Sequence, residues 1–458
     1  MTTVQTAGFP LSDATTAAVR AISAAGGRPY LVGGCVRDAL LAPGSTPKDV
    51  DLEVFGLGLD DLRHALQTVG RVDEVGRSFA VLKVRRDGED LDVAVPSTGP
   101  GTRPEDAARR RDFTMNALMV DPLTGQLLDA VGGVADLRDG VLRHTGPGFG
   151  DDPLRVLRGV RFAARFGFRL APETAELCRT LPFEGLPVER VWGEWRGISE
   201  TGRHLSAAVV ALEATGWLAH VPQLARLAGV PQDPRWHPEG DVLTHSALAG
   251  DAAAVLADEA GLTGDDRTVV VLGALLHDVG KATHTQVRAD GRITSHGHAE
   301  AGAEVARGLL TALGAPAGVV DRVVPVVREH MVATTATRGP SRAAVRRLAR
   351  RLVPATMVEW SLVCGADHAG RGAGSGPNPT TAWVEVAASA GVDRRPGRPL
   401  LRGADLVALG LVPGPSFRAV LDAALTAQDE GLFSDRDGAV AWLGELAADG
   451  RLDDLLGR

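Results

Sequence analysis

The sequence predicts a small α/β head followed by three helical segments. Three observations carry this reading. Residues 28–95 alternate short β-prone runs with helical runs and glycine-bearing turns. After about residue 105, apolar residues recur at helical spacing. Stretches rich in proline or glycine, 230–234 and 371–379, interrupt the helical part. The expected boundaries are 1–145 for the head, 146–232 for a helical neck, 233–370 for a second helical domain, and 371–458 for a linker and helical tail.

Taken in order, residues 12–25 read as a helix capped by Ser12 or Asp13 and ended by Gly26-Gly27. Residues 28–32 read as a strand, and 35–41 as a helix that starts at the Gly33-Gly34 pair. A strand over 50–55 and a helix over 59–69 follow. Residues 80–85 and 90–95 form a hairpin across Asp87-Gly88, a dipeptide suited to a two-residue turn. In the neck, helices are expected over 153–166, 172–180 and 188–198, and 240–370 reads as all-helical. The stretch 371–379 is a flexible loop, and the tail from Trp383 is helical.

The chain has 458 residues, 44% of them hydrophobic, enough for two or more cores. A net charge of −8 leaves no global basic footprint, so a nucleic-acid partner would need local positive patches. Arg109-Arg110-Arg111, the stretch 155–165 and the stretch 342–351 are the candidates, each also readable as a solvated or ion-paired helix face. Cys35, Cys178 and Cys364 lie far apart and read as reduced thiols. No signal-peptide pattern or bilayer-spanning run is seen, so a cytoplasmic protein is expected, with no membrane partner. No protein partner is inferable.

Asp49 and Asp51 carry the first chemical signal. Carboxylates at i and i+2 on a strand share a face, and their repulsion is relieved by a cation. Mg²⁺ prefers such oxygens and keeps waters for phosphate. The Gly33-Gly34 turn upstream, with Arg37 after it, suits a triphosphate. Alone, Asp-x-Asp also fits a solvated surface strand. Downstream come Arg111-Asp112-Phe113-Thr114-Met115-Asn116 and Asp152-Pro153-Leu154-Arg155-Val156-Leu157-Arg158. On a helix, Arg155, Arg158, Arg161 and Arg165 form one cationic ridge that calls for an anion.

With these motifs in this order, residues 28–200 resemble the class II tRNA nucleotidyltransferases, the CCA-adding enzymes and their poly(A) polymerase relatives. Asp129, Asp136-Leu137 and Leu142-Arg143 match the family's intervening motif, and Glu189-Arg190 with Glu194 its last one. The resemblance implies a polymerase-β-like nucleotidyltransferase head on a small mixed sheet. It implies that Asp49 and Asp51 bind Mg²⁺, which activates the RNA 3′-hydroxyl for attack on the α-phosphate, with Asp92 as a third carboxylate. Gly33, Gly34, Arg37, Arg111, Asp112, Asn116 and Arg158 are its nucleotide-binding set. Asp152 and Arg155 would read the base edge of CTP or ATP. Cytosine and adenine both pair an amino donor with a ring-nitrogen acceptor, whereas uracil and guanine present the reverse. The implied partner is the 3′ end and acceptor arm of tRNA.

Two departures matter. The segment from Val95 to Arg109 is shorter than in most members, which resembles the CC-adding subgroup, and Asp151 stands where Glu is usual.

A second constellation follows: His245, then His277-Asp278, then His296, His298, His330 and Asp367. Imidazoles and carboxylates in this pattern suit a transition metal or Mg²⁺. Residues 240–370 resemble the HD phosphohydrolase superfamily. His245, His277, Asp278 and Asp367 match its core set, and His298 and His330 the extra ligands of its two-metal members. The resemblance implies phosphoester hydrolysis, with 2′,3′-cyclic nucleotides or terminal phosphates as substrates, using Mg, Mn, Ni or Co. The tail motifs at 401–406 and 410–415 resemble the end of many CCA-adding enzymes. Competing readings are a CC-only enzyme, an RNA poly(A) polymerase, and an HD hydrolase whose head only binds nucleotides.

Overall fold

The computed structural model describes residues 4–5, 11–42, 50–75, 81–336, 338–372 and 378–456. Asp49, residue 80 and the centre of the expected 371–379 loop lie outside these residues. Contacts group the chain into two units, Met1–Arg190 with Ala207–His220, and Val191–Ser206 with Val221–Arg458.

Among the described residues, the main sheet of the first unit has eight strands: β1 Val4–Gln5, β2 Arg28–Val32, β3 Asp51–Phe55, β4 Arg71–Val75, β5 Val81–Arg86, β6 Glu89–Ala94, β7 Met119–Val120 and β8 Gln126–Leu128. Their order in the sheet is β1-β8-β7-β2-β3-β6-β5-β4. Neighbours are antiparallel except β3 and β6, which run parallel. A parallel pair needs a crossover. Here the helix Leu59–Gln67 and the strands β4 and β5 supply it.

The expected strands at β2, β3, β5 and β6 are present. The β5–β6 hairpin turns through Asp87 and Gly88, both at positive φ (53° and 85°), as a two-residue turn requires. Strands β1, β4, β7 and β8 go beyond the sequence reading. β1, β7 and β8 are too short to show alternation, and β4 is a largely exposed, polar edge strand.

Alternation sorts the central strands cleanly. Leu52, Val54, Leu82, Val84, Leu91 and Val93 are buried. Asp51, Glu53, Lys83 and Asp92 occupy the alternate positions and keep partial exposure. The helix Asp13–Ala24 packs against β2 and β6 through Ala14, Ala18, Val19 and Ile22, capped by Ser12 Oγ, which accepts from Thr15 N at 3.1 Å. Beyond the sheet, the helix Arg155–Phe166 brings Phe162 edge-on to Phe113 at 5.7 Å, and Phe149 closes on Phe113 at 5.4 Å.

In the second unit, the helices Val242–Glu259, Gly264–Leu276, Ala317–Glu329 and Met357–Gly370 pack on one another, and His298–Ala312 lies on Ala317–Glu329. The expectation of an all-helical stretch needs one correction. Gln286–Val287 and Ile293–Thr294 pair as a short antiparallel ladder, with Gly291 at positive φ in the turn between them. The tail has its own core of Leu401, Leu406, Val420, Phe433 and Leu443.

The basic helix Arg342–Arg351 shows the ion-paired alternative at three of its arginines. Arg346 Nη1 donates to the Gln428 carbonyl at 2.9 Å, and Arg351 donates bidentately to Glu329, 2.9 Å for each bond. Arg350 pairs with the buried Asp429. Three of its cations serve packing.

Candidate active site and metal centre

In the head, β2 ends at Val32, and Gly33 follows at φ 73° as the cap of the helix Gly34–Leu41. A Cβ at Gly33 would stand 3.4 Å from Arg111 Nη1 and 3.6 Å from Asp51 Oδ2. Glycine thus leaves an opening bounded by a cation and a carboxylate. The parallel register makes Asp51 and Asp92 direct neighbours. Lys83, opposite Asp92 on β5, holds Nζ 3.5 Å from Asp92 Oδ1. Arg111 Nη2 donates to Glu53 Oε2 at 2.6 Å. Two neighbouring carboxylates beside the opening suit a hard divalent ion.

Arg37 is only 4% exposed. Its Nη1 donates to Asn116 Oδ1 at 2.6 Å, its Nε donates to Asp38 Oδ1 at 2.7 Å, and its guanidinium lies over Phe166, 4.9 Å from the ring centroid. Asp112 accepts from Phe113 N at 2.7 Å, Asn116 Nδ2 at 2.9 Å and Arg158 Nε at 2.9 Å. Burial alone would raise the Asp112 pKa, but Arg158 and these hydrogen bonds hold it below the usual carboxylate range. Asp112, Asn116 and Arg37 therefore form one buried chain under the glycine turn.

The arginine ridge is not an uncompensated row of cations. Arg158 is neutralised by Asp112, and Arg165 donates to Asp38 Oδ2 at 2.9 Å. Arg155 donates to the carbonyls of Gly148 at 2.8 Å and Arg110 at 3.1 Å. Asp152 turns to Arg190, whose Nη2 donates to its Oδ2 at 2.7 Å.

In the second unit, His245, His277, Asp278, His298, His330 and Asp367 converge, all at least nine-tenths buried. His245 Nε2 lies 3.0 Å from Asp367 Oδ1 and 3.3 Å from His277 Nε2. His298 Nε2 lies 3.1 Å from Asp278 Oδ1 and 3.2 Å from His330 Nε2. The Nδ1 atoms of His277, His298 and His330 sit 2.6–2.7 Å from the carbonyls of Ala274, Ser295 and Val327. A carbonyl only accepts, so each Nδ1 carries a proton, and each Nε2 points inward with a lone pair to offer once its ring is neutral. Converging nitrogen lone pairs flanked by two carboxylates fit divalent metal, with Asp278 placed between the two histidine pairs. His296 stays outside, 3.4 Å from Arg288 Nη2.

Electrostatics agree with a cation-demanding cavity. Burial opposes charge on His277, yet Asp278 and Asp367 outweigh it and push its pKa up to about 10. His330 is driven down to about 3 by burial and by the His277 charge. Burial opposes charge on Asp278 and Asp367 as well, yet His277 and Lys281 at Asp278, and His245, His277 and Arg371 at Asp367, hold both well below the usual carboxylate range. Lys281 Nζ is 2.6 Å from Asp278 Oδ2, and Arg371 Nη2 donates to Asp367 at 2.8 and 3.0 Å. Gly280 permits the assembly: a Cβ there would meet the His298 carbonyl at 2.1 Å and Gly302 N at 2.6 Å.

Several neighbours were missed in the sequence although spacing marks them. Glu53 shares the Asp51 face at i+2, and Lys281 and Arg371 follow Asp278 and Asp367 by one helical turn. Lys83 and Glu239 have no such spacing cue: the β5–β6 register brings Lys83 to Asp92, and the chain just before the helix Val242–Glu259 brings Glu239 to His245.

Comparison with known proteins gives the family. A profile described as the Poly A polymerase head domain matches residues 29–143, and one described as the HD domain matches 242–356. The Multifunctional CCA protein of Xanthomonas campestris pv. campestris (strain B100) is 36% identical over 366 residues, 75% of this chain and 85% of that protein. The chain belongs to the multifunctional CCA protein family. A member from Halorhodospira halophila (strain DSM 244 / SL1) is 38% identical over 325 residues, 66% of this chain and 73% of its own length.

This CCA-family chain is an enzyme, a nucleotidyltransferase whose second half carries an HD domain, and both domain types use divalent metals. Its fold is that of solved CCA-adding enzymes. The Bacillus stearothermophilus enzyme in complex with CTP aligns over 96% of this chain and 99% of that one, at TM-score 0.63 and 21% identity. The Thermotoga maritima enzyme complexed with tRNA aligns over 94% of each, at TM-score 0.55 and 19% identity. No described helix is long and apolar enough to cross a membrane.

Proposed function

We propose that the chain adds C and A, taken from CTP and ATP, to the 3′ end of tRNA, releasing pyrophosphate. The observation that carries this is the Asp51–Asp92 register pair beside the Gly33 opening and Arg111. Asp51 and Asp92, with Asp49, would hold Mg²⁺, which when bound supplies charge neutralisation and activation of the 3′-hydroxyl. Gly33 and Gly34 admit the triphosphate, and Arg111 exchanges Glu53 for a phosphate oxygen. Arg37, Asp112 and Asn116 brace the turn from beneath, and Arg158 joins that brace to the nucleotide. Asp152 and Arg155 accept from and donate to the base edge, so protein side chains take the place of a template.

The HD centre supports a second reaction, hydrolysis of a phosphoester such as a 2′,3′-cyclic phosphate, with His245, His277, Asp278, His298, His330 and Asp367 holding Mg, Mn, Ni or Co. The functional division follows the head at 1–145, neck at 146–232, HD domain at 233–370 and tail at 371–458.

Incubation with tRNAs lacking all, two or one of the terminal CCA nucleotides, with labelled CTP or ATP and Mg²⁺, tests the first activity. Incorporation on each is expected. Labelling confined to CTP marks a CC-only enzyme, and no labelling on any substrate rejects the assignment.

A further inference from the structure

The four imidazoles of the HD centre are not oriented alike. His277 and His330 cap the helices Gly264–Leu276 and Ala317–Glu329, where C-terminal carbonyls lack helical partners, and each Nδ1 takes one of them. His298 opens its helix and uses the Ser295 carbonyl just before it. His245 is the fourth residue of the helix Val242–Glu259, where the nearby carbonyls are engaged in the helix. Its Nδ1 lies against a side chain instead, 2.6 Å from Glu239 Oε1 in an ion-pair contact that is out of line for a hydrogen bond. The same Oε1 lies 3.0 Å from His237 Nδ1. The Glu239 and His237 side chains are only 6% and 12% exposed, so neither is a loose surface group.

We propose that Glu239 is a positioning residue of the HD centre, fixing the His245 ring with Nε2 inward and strengthening that nitrogen as a donor through its negative charge. His237 anchors the carboxylate through the same Oε1. A carboxylate behind a ligating imidazole raises its basicity more than a neutral carbonyl does. His245 is thereby the strongest of the four nitrogen donors, and the subsite it shares with His277 and Asp367 fills first. The inference rests on reading this cluster as a metal centre.

The test is calorimetric titration of the full-length protein with Ni²⁺, an ion that imidazole-rich sites favour over all-carboxylate ones. Glu239→Gln keeps an acceptor oxygen but removes the charge. It should weaken Ni²⁺ binding about 10-fold to 100-fold, while the metal-free melting temperature and CMP incorporation at the head stay unchanged. Unchanged Ni²⁺ affinity overturns the inference, since a merely structural role survives this substitution. Should Glu239→Gln not fold, Glu239→Asp must bind Ni²⁺ more tightly than Glu239→Ala, and equal binding overturns it. Asp278→Asn separates the two levels: if it binds Ni²⁺ as the wild type does, the metal-centre reading falls, and this inference with it.

Discussion

Asp51 and Asp92 face each other across the parallel β3–β6 pair, 41 positions apart in the chain and adjacent in the sheet. The parallel run forces the side chains of register partners onto one face, so the second carboxylate is delivered by topology. Lys83 sits on the far side of Asp92 and balances its charge without a metal. Asp92→Asn should therefore reduce CMP incorporation at least about 100-fold, equivalent to about 2.7 kcal/mol of transition-state stabilisation. The fold should persist, because Asp92 is not in the core. Steady-state incorporation alongside a thermal melt checks this, and a loss under tenfold would remove Asp92 from the reacting group.

Arg190 holds the carboxylate assigned to base reading. Its side chain is 49% exposed, so the pair contributes under about 1 kcal/mol to stability. Its value lies in aiming Asp152. Arg190→Ala should leave the melting temperature within a degree or two and cut the preference for CTP over UTP about tenfold. Competition between the two nucleotides on one tRNA substrate measures it; an unchanged ratio rejects the aiming role.

Gly280 is a steric requirement. A methyl group there would collide with the His298 carbonyl and Gly302 N, both backbone atoms that cannot swing away. Gly280→Ala should destabilise the second unit by about 3 kcal/mol and abolish Ni²⁺ binding. Denaturant unfolding and calorimetry report the two effects, and wild-type values in both would contradict the packing described.

The charge state of the HD cluster predicts a pH dependence. His277 holds a proton up to about pH 10 in the metal-free protein, because Asp278 and Asp367 outweigh its burial. A ligating imidazole must be neutral, so loading the ion expels that proton. Its loss becomes easier as pH rises, so apparent metal affinity should climb between pH 6.5 and 9, by at most about tenfold per unit for a single proton. Titrations in buffers of different ionisation enthalpy count the proton released. A flat affinity across that range would be the contrary result.

Arg350 and Asp429 make a different kind of claim. Asp429 is 2% exposed, and Arg350 is the cation paired with it. Arg350→Met strands a buried charge and should cost about 3–5 kcal/mol, seen in denaturant unfolding, with little change in tRNA affinity. A large affinity loss at unchanged stability would return the helix Arg342–Arg351 to an RNA-facing role.

Candidate ligand residues stand out in the chain because metal and phosphate chemistry admits few side chains, and the family resemblance picks among them. Gly33, Asp51, Arg111 and Asp112 in the head, and His245, His277-Asp278, His298, His330 and Asp367 in the second unit, are legible this way. So are the longer helices and the β5–β6 hairpin, where period and turn chemistry agree. The tertiary structure decided how each ligand is held. It joined Asp92 to Asp51 through a parallel crossover, gave Arg158 to Asp112, Asp152 to Arg190 and His245 to Glu239, and turned a basic helix toward the tail. Those pairings join residues as far as 82 positions apart, as between Arg346 and the Gln428 carbonyl. No local period encodes them, because burial leaves a charged group stable only where the fold brings it a partner.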